Sequence, residues 1–127
     1  MKKKVIQTEK APKAIGPYSQ AIQTDAFIYT AGQIGLDPTT GELISATVEE
    51  QTRQALTNLR NVIEAAGSNM ENTVKTTVFL KDMNDFPKMN AIYAEFFGAN
   101  PPARSTVAVA ALPKGGLVEI EAVVLAV

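Results

Sequence analysis

The chain has 127 residues, 46% of them hydrophobic and 20% charged, which is enough for the core of one domain spanning residues 1–127 and too little for two. It contains neither cysteine nor histidine, which excludes disulfides, thiolate and Ser–His nucleophiles, a histidine base and any ordinary zinc site, so no metal and no cofactor is expected. A net charge of −1 argues against a nucleic-acid surface, no apolar run approaches the ~18 residues of a membrane span, and the segment after Lys2-Lys3-Lys4 lacks the apolar region of an export signal, so the expected location is cytoplasmic.

In chain order, residues 3–7 read as a short edge strand, and Ala11-Pro12 and Gly16-Pro17 interrupt regular structure. Two strands follow, Tyr18 to Gln23 and Phe27 to Ile34, closed by an Asp37–Glu42 turn. The spacing of Ala55, Leu56, Leu59, Val62, Ile63 and Ala66 predicts a helix from about Val48 to Ala66, with Thr47 and Glu50 as a capping box and Gly67 as its stop. Thr73 to Lys81 reads as a strand. A second helix is predicted over Asp85 to Phe97, with Asn84 as cap, a buried stripe of Phe86, Met89, Tyr93, Phe96 and Phe97, and Gly98 at its end. Two last strands, Arg104 to Ala110 and Leu117 to Val127, flank a Pro113–Gly116 turn and are expected to pair as a hairpin. The order βββ-α-β-α-ββ describes an α+β sheet with both helices on one face, and self-association is the simplest cover for the other.

Two places set charge inside apolar sequence. Arg104 follows Pro101-Pro102-Ala103 and opens a β-branched run, where a guanidinium must find an anion. Its planar fork suits a ligand carboxylate; an ion pair with Glu119, Glu121 or Asp82 is the equally weighted alternative. Glu119 and Glu121 alternate with Val118, Ile120 and Ala122 and share one strand face, where a half-buried carboxylate can act as a base toward water. Hairpin pairing would separate Arg104 from Glu119 by about 13 Å, the two ends of one ligand plus a water. Tyr18, presented by the Gly16-Pro17 turn, is a pocket wall or a core ring. Gly32 permits close backbone approach, with an exposed N–H there for a ligand oxygen or a bulge as the two readings, and Asn90 lies one position off the buried stripe.

Ile15-Gly16-Pro17-Tyr18-Ser19-Gln20-Ala21, Ala31-Gly32-Gln33-Ile34 and Pro102-Ala103-Arg104-Ser105 through Glu119-Ile120-Glu121 resemble the RidA (YjgF-like) family of reactive intermediate deaminases across nearly the whole chain. The resemblance implies a chorismate-mutase-like α+β fold and a homotrimer with three clefts between subunits. It further implies hydrolysis of 2-imino acids such as 2-iminopropanoate and 2-iminobutanoate to 2-keto acids and ammonia. It assigns Arg104 to the substrate carboxylate and Glu119 to the attacking water, with Tyr18, Ala31, Gly32, Asn90 and Thr106 lining the pocket. Ala31 stands where many members carry serine and Thr106 where many carry cysteine, with backbone donors expected to remain at both positions. The alternatives within the same fold are a non-catalytic binder of small carboxylates or a protein-interaction module. RNA cleavage is the reading least suited to a chain without histidine.

Overall fold

The computed structural model describes residues 2–127. Strands β1 (Lys4–Ile6), β2 (Ala21–Gln23), β3 (Phe27–Thr30) and β4 (Gln33–Ile34) precede helix α1 (Val48–Ala65); β5 (Thr73–Leu80), α2 (Phe86–Phe97), β6 (Ala103–Ala108) and β7 (Val118–Leu125) follow. They form one mixed sheet in the order β1-β2-β3-β7-β5-β6, with β4 continuing the line of β3 along β7. Every pairing is antiparallel except that of β5 with β6.

Both helices form where the apolar period predicts them. The Thr47 hydroxyl accepts from the Glu50 N–H at 3.3 Å, and Gly67 takes the positive φ of 86° that ends α1. Leu56, Leu59, Val62 and Ile63 of α1 and Met89, Tyr93 and Phe97 of α2 are buried with Ile28, Val78, Leu80, Val118, Ile120 and Val124, which places both helices on one face of the sheet. At about 1.5–3 kcal/mol for each large apolar side chain removed from water, this layer is the main favourable term of the fold. Asn84 is not the cap of α2. Residues 83–85 make a 3₁₀ turn in which the Asp82 carboxylate accepts from the Asn84 N–H at 2.9 Å, and α2 starts at Phe86 with Pro87 in its first turn, where a missing N–H costs nothing.

Two strand expectations need correction. The strand expected over Phe27 to Ile34 is divided, because residues 30–32 stand against only two residues of β7 between the Tyr29–Val123 and Gln33–Ile120 pairs. Thr30 closes the gap with its hydroxyl, accepting from the Ala122 N–H at 2.9 Å, while Ala31 donates its N–H to the Gln20 carbonyl at 2.9 Å. This is a bulge, and Gly32 sits in it. The order is therefore ββββ-α-β-α-ββ.

Nor do β6 and β7 form a hairpin. β7 buries Val118, Ile120, Ala122 and Val124 and runs between β3 and β5, whereas β6 offers Arg104 and Thr106 to the same face and lies at the edge, parallel to β5. The apolar strand takes the centre and the polar one the rim. Residues 109–117 carry the chain across the end of β5, with Val109 N–H on the Leu80 carbonyl (2.9 Å) and Lys81 N–H on the Leu117 carbonyl (3.0 Å).

The face away from the helices carries Val5, Tyr29, Val107 and Leu125, all exposed, together with Glu119 and Glu121. Buried amides hold the loops at its border. Gln20 accepts from the Thr8 N–H (2.7 Å) and donates to the Pro12 carbonyl (2.8 Å), and Gln51 accepts from the Leu117 N–H (2.8 Å) while donating to the Ser45 carbonyl (2.9 Å). Both amides are thus paired on their donor and acceptor sides.

Candidate functional site

Arg104 stands on the edge strand β6, level with Thr76 of β5, and points to the helix face. Its guanidinium carbon lies 4.6 Å from the centre of the Tyr93 ring and 5.3 Å from that of Phe86, both on α2. Tyr93 is itself fixed: its hydroxyl is 2.7 Å from the Thr76 hydroxyl, and its ring packs at 4.6 Å on Phe97. Burial pushes the Tyr93 phenol up, against the opposing pull of the Thr76 hydrogen bond and of the charge and hydrogen bonding of Arg104, so it is neutral at physiological pH. Among the described residues the one ion pair joins Arg53 to Glu95 at 2.7 Å, and no carboxylate meets Arg104. The guanidinium is thus held by ring faces, which attract a cation without saturating its five donors.

Arg104 and Asn90 line a recess of about 390 Å³ with Tyr93, Phe97, Pro101 and Pro102. Thr106, two residues on, faces the same way, level with Val78, and its buried hydroxyl has no hydrogen-bond partner among the described residues.

A second recess, of about 360 Å³, opens at the other end of β7 and is lined by Tyr18, Gly32, Ile34, Pro113, Lys114 and Glu119. Burial, and secondarily the charge of Glu121, raise the Glu119 carboxyl above its ordinary value. Gly32 is required there. A Cβ at that position would stand 2.7 Å from Cδ and 2.8 Å from Cγ of Glu119 and overlap its carboxylate oxygen. Tyr18 reaches this recess from the loop that Gly16 (φ 121°) turns and Gln20 anchors. Lys114, at a positive φ of 57°, donates from Nζ to the Gly41 carbonyl at 2.9 Å and secures the turn above the recess.

The seven residues singled out in the sequence therefore fall into two groups. Tyr18, Gly32 and Glu119 meet in one recess, with Ala31 beside Gly32; Arg104 of β6 and Asn90 of α2 line the other, and Thr106 shares the strand face of Arg104 without lining that recess. Nothing among the described residues joins the groups, and the 13 Å separation expected from a hairpin does not apply. The ion pairs weighed for Arg104 with Glu119, Glu121 or Asp82 are not formed. The backbone donor expected at Ala31 is already engaged by Gln20. In the sequence Phe86 and Tyr93 mark only a packing stripe, and nothing there distinguishes Thr76 or Lys114. The seven-residue spacing of Phe86 and Tyr93 marks a common helix face, but its link to Arg104 exists only once β6 is known to lie over α2.

Residues 8–126 match the family described as Endoribonuclease L-PSP. A RutC family protein of Pyrococcus horikoshii is 55% identical over 121 residues, covering 95% of this chain and 96% of its own. A 2-iminobutanoate/2-iminopropanoate deaminase of Homo sapiens is 54% identical over 123 residues, covering 97% and 90%. The crystal structure of E. coli TdcF with bound serine superposes with a TM-score of 0.92 at 43% identity, over 96% of this chain and 98% of that one.

Proposed function

Since the chain belongs to this RidA/YjgF-like family of Endoribonuclease L-PSP proteins, we propose that it is a hydrolase of C=N bonds that converts 2-imino acids and their enamine tautomers, 2-iminopropanoate and 2-iminobutanoate among them, to 2-keto acids and ammonia. The observation that carries this reading is Arg104, a half-buried guanidinium with no carboxylate of its own chain, in a recess sized for a small acid. The human relative's name and the serine bound to TdcF support a small amino-acid-like carboxylate as ligand.

In this reading the cleft is shared between copies of the chain. Self-association, as a homotrimer, covers the face bearing Val5, Tyr29, Val107 and Leu125 and brings the Arg104 recess of one copy against the Glu119 recess of the next. Arg104 grips the substrate carboxylate with two parallel hydrogen bonds, and Asn90 and Thr106 close that end. Tyr18 and Gly32 close the other end, beside Glu119.

The chemistry follows from the residues at hand. An iminium carbon is already electrophilic, so it needs a positioned water and a proton acceptor. Glu119 takes a proton as water adds to C2, giving a tetrahedral carbinolamine, and returns it to the nitrogen; the C–N bond then breaks to release ammonia as the C–O bond becomes the keto carbonyl and the hydroxyl proton passes back to the Glu119 carboxylate. A carboxylate whose proton affinity is raised by burial suits both transfers.

The non-catalytic reading of the same pocket, a small-carboxylate binder, has one observation in its favour. Ala31 offers only a methyl group, and its N–H is spent on Gln20. Generating 2-iminopropanoate in situ and following its decay with the purified protein separates the two: faster decay than in buffer supports the hydrolase, whereas 2-keto acid binding without turnover supports the binder.

A further inference from the structure

We propose that Phe86 and Tyr93 are positioning residues, a two-ring seat that fixes the Arg104 guanidinium while leaving its hydrogen-bonding fork free for a ligand carboxylate. Resting on the deaminase reading of the cleft, this extends the substrate clamp from one side chain to a chain of contacts running from the core to the recess.

An arginine on an edge strand has two ordinary ways to be held: a carboxylate partner, which would occupy the fork, or hydration, which would leave it mobile. Arg104 has neither carboxylate nor full exposure. It lies instead against two rings, at 4.6 Å and 5.3 Å, within the range in which a ring face attracts a cation. Those rings are fixed to different degrees. Tyr93 is buried and tied at 2.7 Å to Thr76, the β5 residue level with Arg104 itself, and it is braced by Phe97; Phe86 is only partly buried at the start of α2. Thr76 thus sets the height of both the arginine and the ring beneath it. A neutral ring holds the charge in place without cancelling it, and burial keeps the Tyr93 phenol protonated.

The test reads the seat and its consequence separately. The Arg104 Nε–H proton resonance, identified by its loss in Arg104→Lys, should be shifted upfield by the rings relative to that of Arg53, which faces Glu95. Phe86→Leu and Tyr93→Leu should each move it toward the Arg53 position. Calorimetric titration with 2-oxobutanoate should then weaken about tenfold in Tyr93→Leu and less in Phe86→Leu. In an Arg104→Lys background the ring substitutions should add little, because they act through the guanidinium. An unshifted Arg104 resonance overturns the proposal, as does a ring effect that persists undiminished in the Arg104→Lys background. A shifted resonance in a wild-type protein that fails to bind 2-oxobutanoate leaves the seat standing and removes the carboxylate clamp of the deaminase reading. Phe86→Leu keeps the test open should Tyr93→Leu fail to fold, because Phe86 lies outside the fully buried layer.

Discussion

Arg104 and Glu119 lie on opposite faces of one sheet. Arg104 is level with Thr76 of β5, and Glu119 is level with Phe79, three residues further along the same strand. Because side chains alternate along a strand, an odd separation sends them to opposite sides. One chain therefore does not set both groups on one small molecule, so the proposed common ligand requires two chains.

The clamp makes the first prediction. Arg104→Lys keeps the charge but loses the planar fork, and charge-assisted hydrogen bonds contribute about 1.5–3 kcal/mol each, so kcat/KM for 2-iminobutanoate should fall at least about tenfold, chiefly through KM. Steady-state kinetics with a coupled amino-acid oxidase provides the measurement. Turnover equal to wild type would remove Arg104 from the substrate.

The carboxylate makes the second. Burial and Glu121 raise the Glu119 carboxyl, so the acid limb of kcat/KM should sit above the ordinary glutamate range of about 4.3 and should be abolished in Glu119→Gln along with most activity. Stability carries the opposite sign. A raised folded-state value means that the native protein holds the proton more tightly, so the associated stability is present below the ordinary value and is lost as pH rises through the raised one. Glu119→Gln should accordingly melt higher than wild type at neutral pH, with the difference closing on acidification.

Gly32 makes the third. Its φ is not in the left-handed region, so alanine is tolerated by the backbone, but the added Cβ overlaps the Glu119 carboxylate. Gly32→Ala should fold with little loss of melting temperature while kcat drops by about tenfold or more, as expected when a catalytic group is displaced. Unchanged kcat would show that Glu119 is not confined to this position.

The open face makes the fourth. Charged residues in place of two exposed apolar ones, as in Tyr29→Glu with Val107→Lys, should yield a folded monomer in sedimentation that has lost turnover together with assembly. An active monomer would refute the shared cleft.

How far the sequence carried this picture differs from element to element. α1 was legible to its caps, because the capping hydroxyl of Thr47, the apolar stripe and the stop at Gly67 are all local. β7 was legible in its alternation but not in its partner. Its own residues say which face is buried; that β7 runs between β3 and β5 while β6 takes the edge depends on contacts distant in sequence. For the same reason Arg104 and Glu119 could be singled out as charges in apolar surroundings, yet their assignment to opposite faces could not. The break at Ala31-Gly32 was marked by a glycine, but the hydroxyl of Thr30 that bridges to Ala122 has no signature of its own. Tyr93 shows the limit most clearly: its helical spacing announces burial, and only the register of β6 against β5 reveals the guanidinium above it.

Mixing two inactive proteins tests the shared cleft most directly. Arg104→Lys and Glu119→Gln chains, unfolded together in equal amounts and refolded, should regain activity in the mixed assemblies, about a quarter of the cleft sites by random assortment, because some clefts pair an intact Arg104 from one copy with an intact Glu119 from another. If the mixture exchanges subunits and stays as inactive as either variant alone, the two residues do not serve one site across copies, and the account is contradicted.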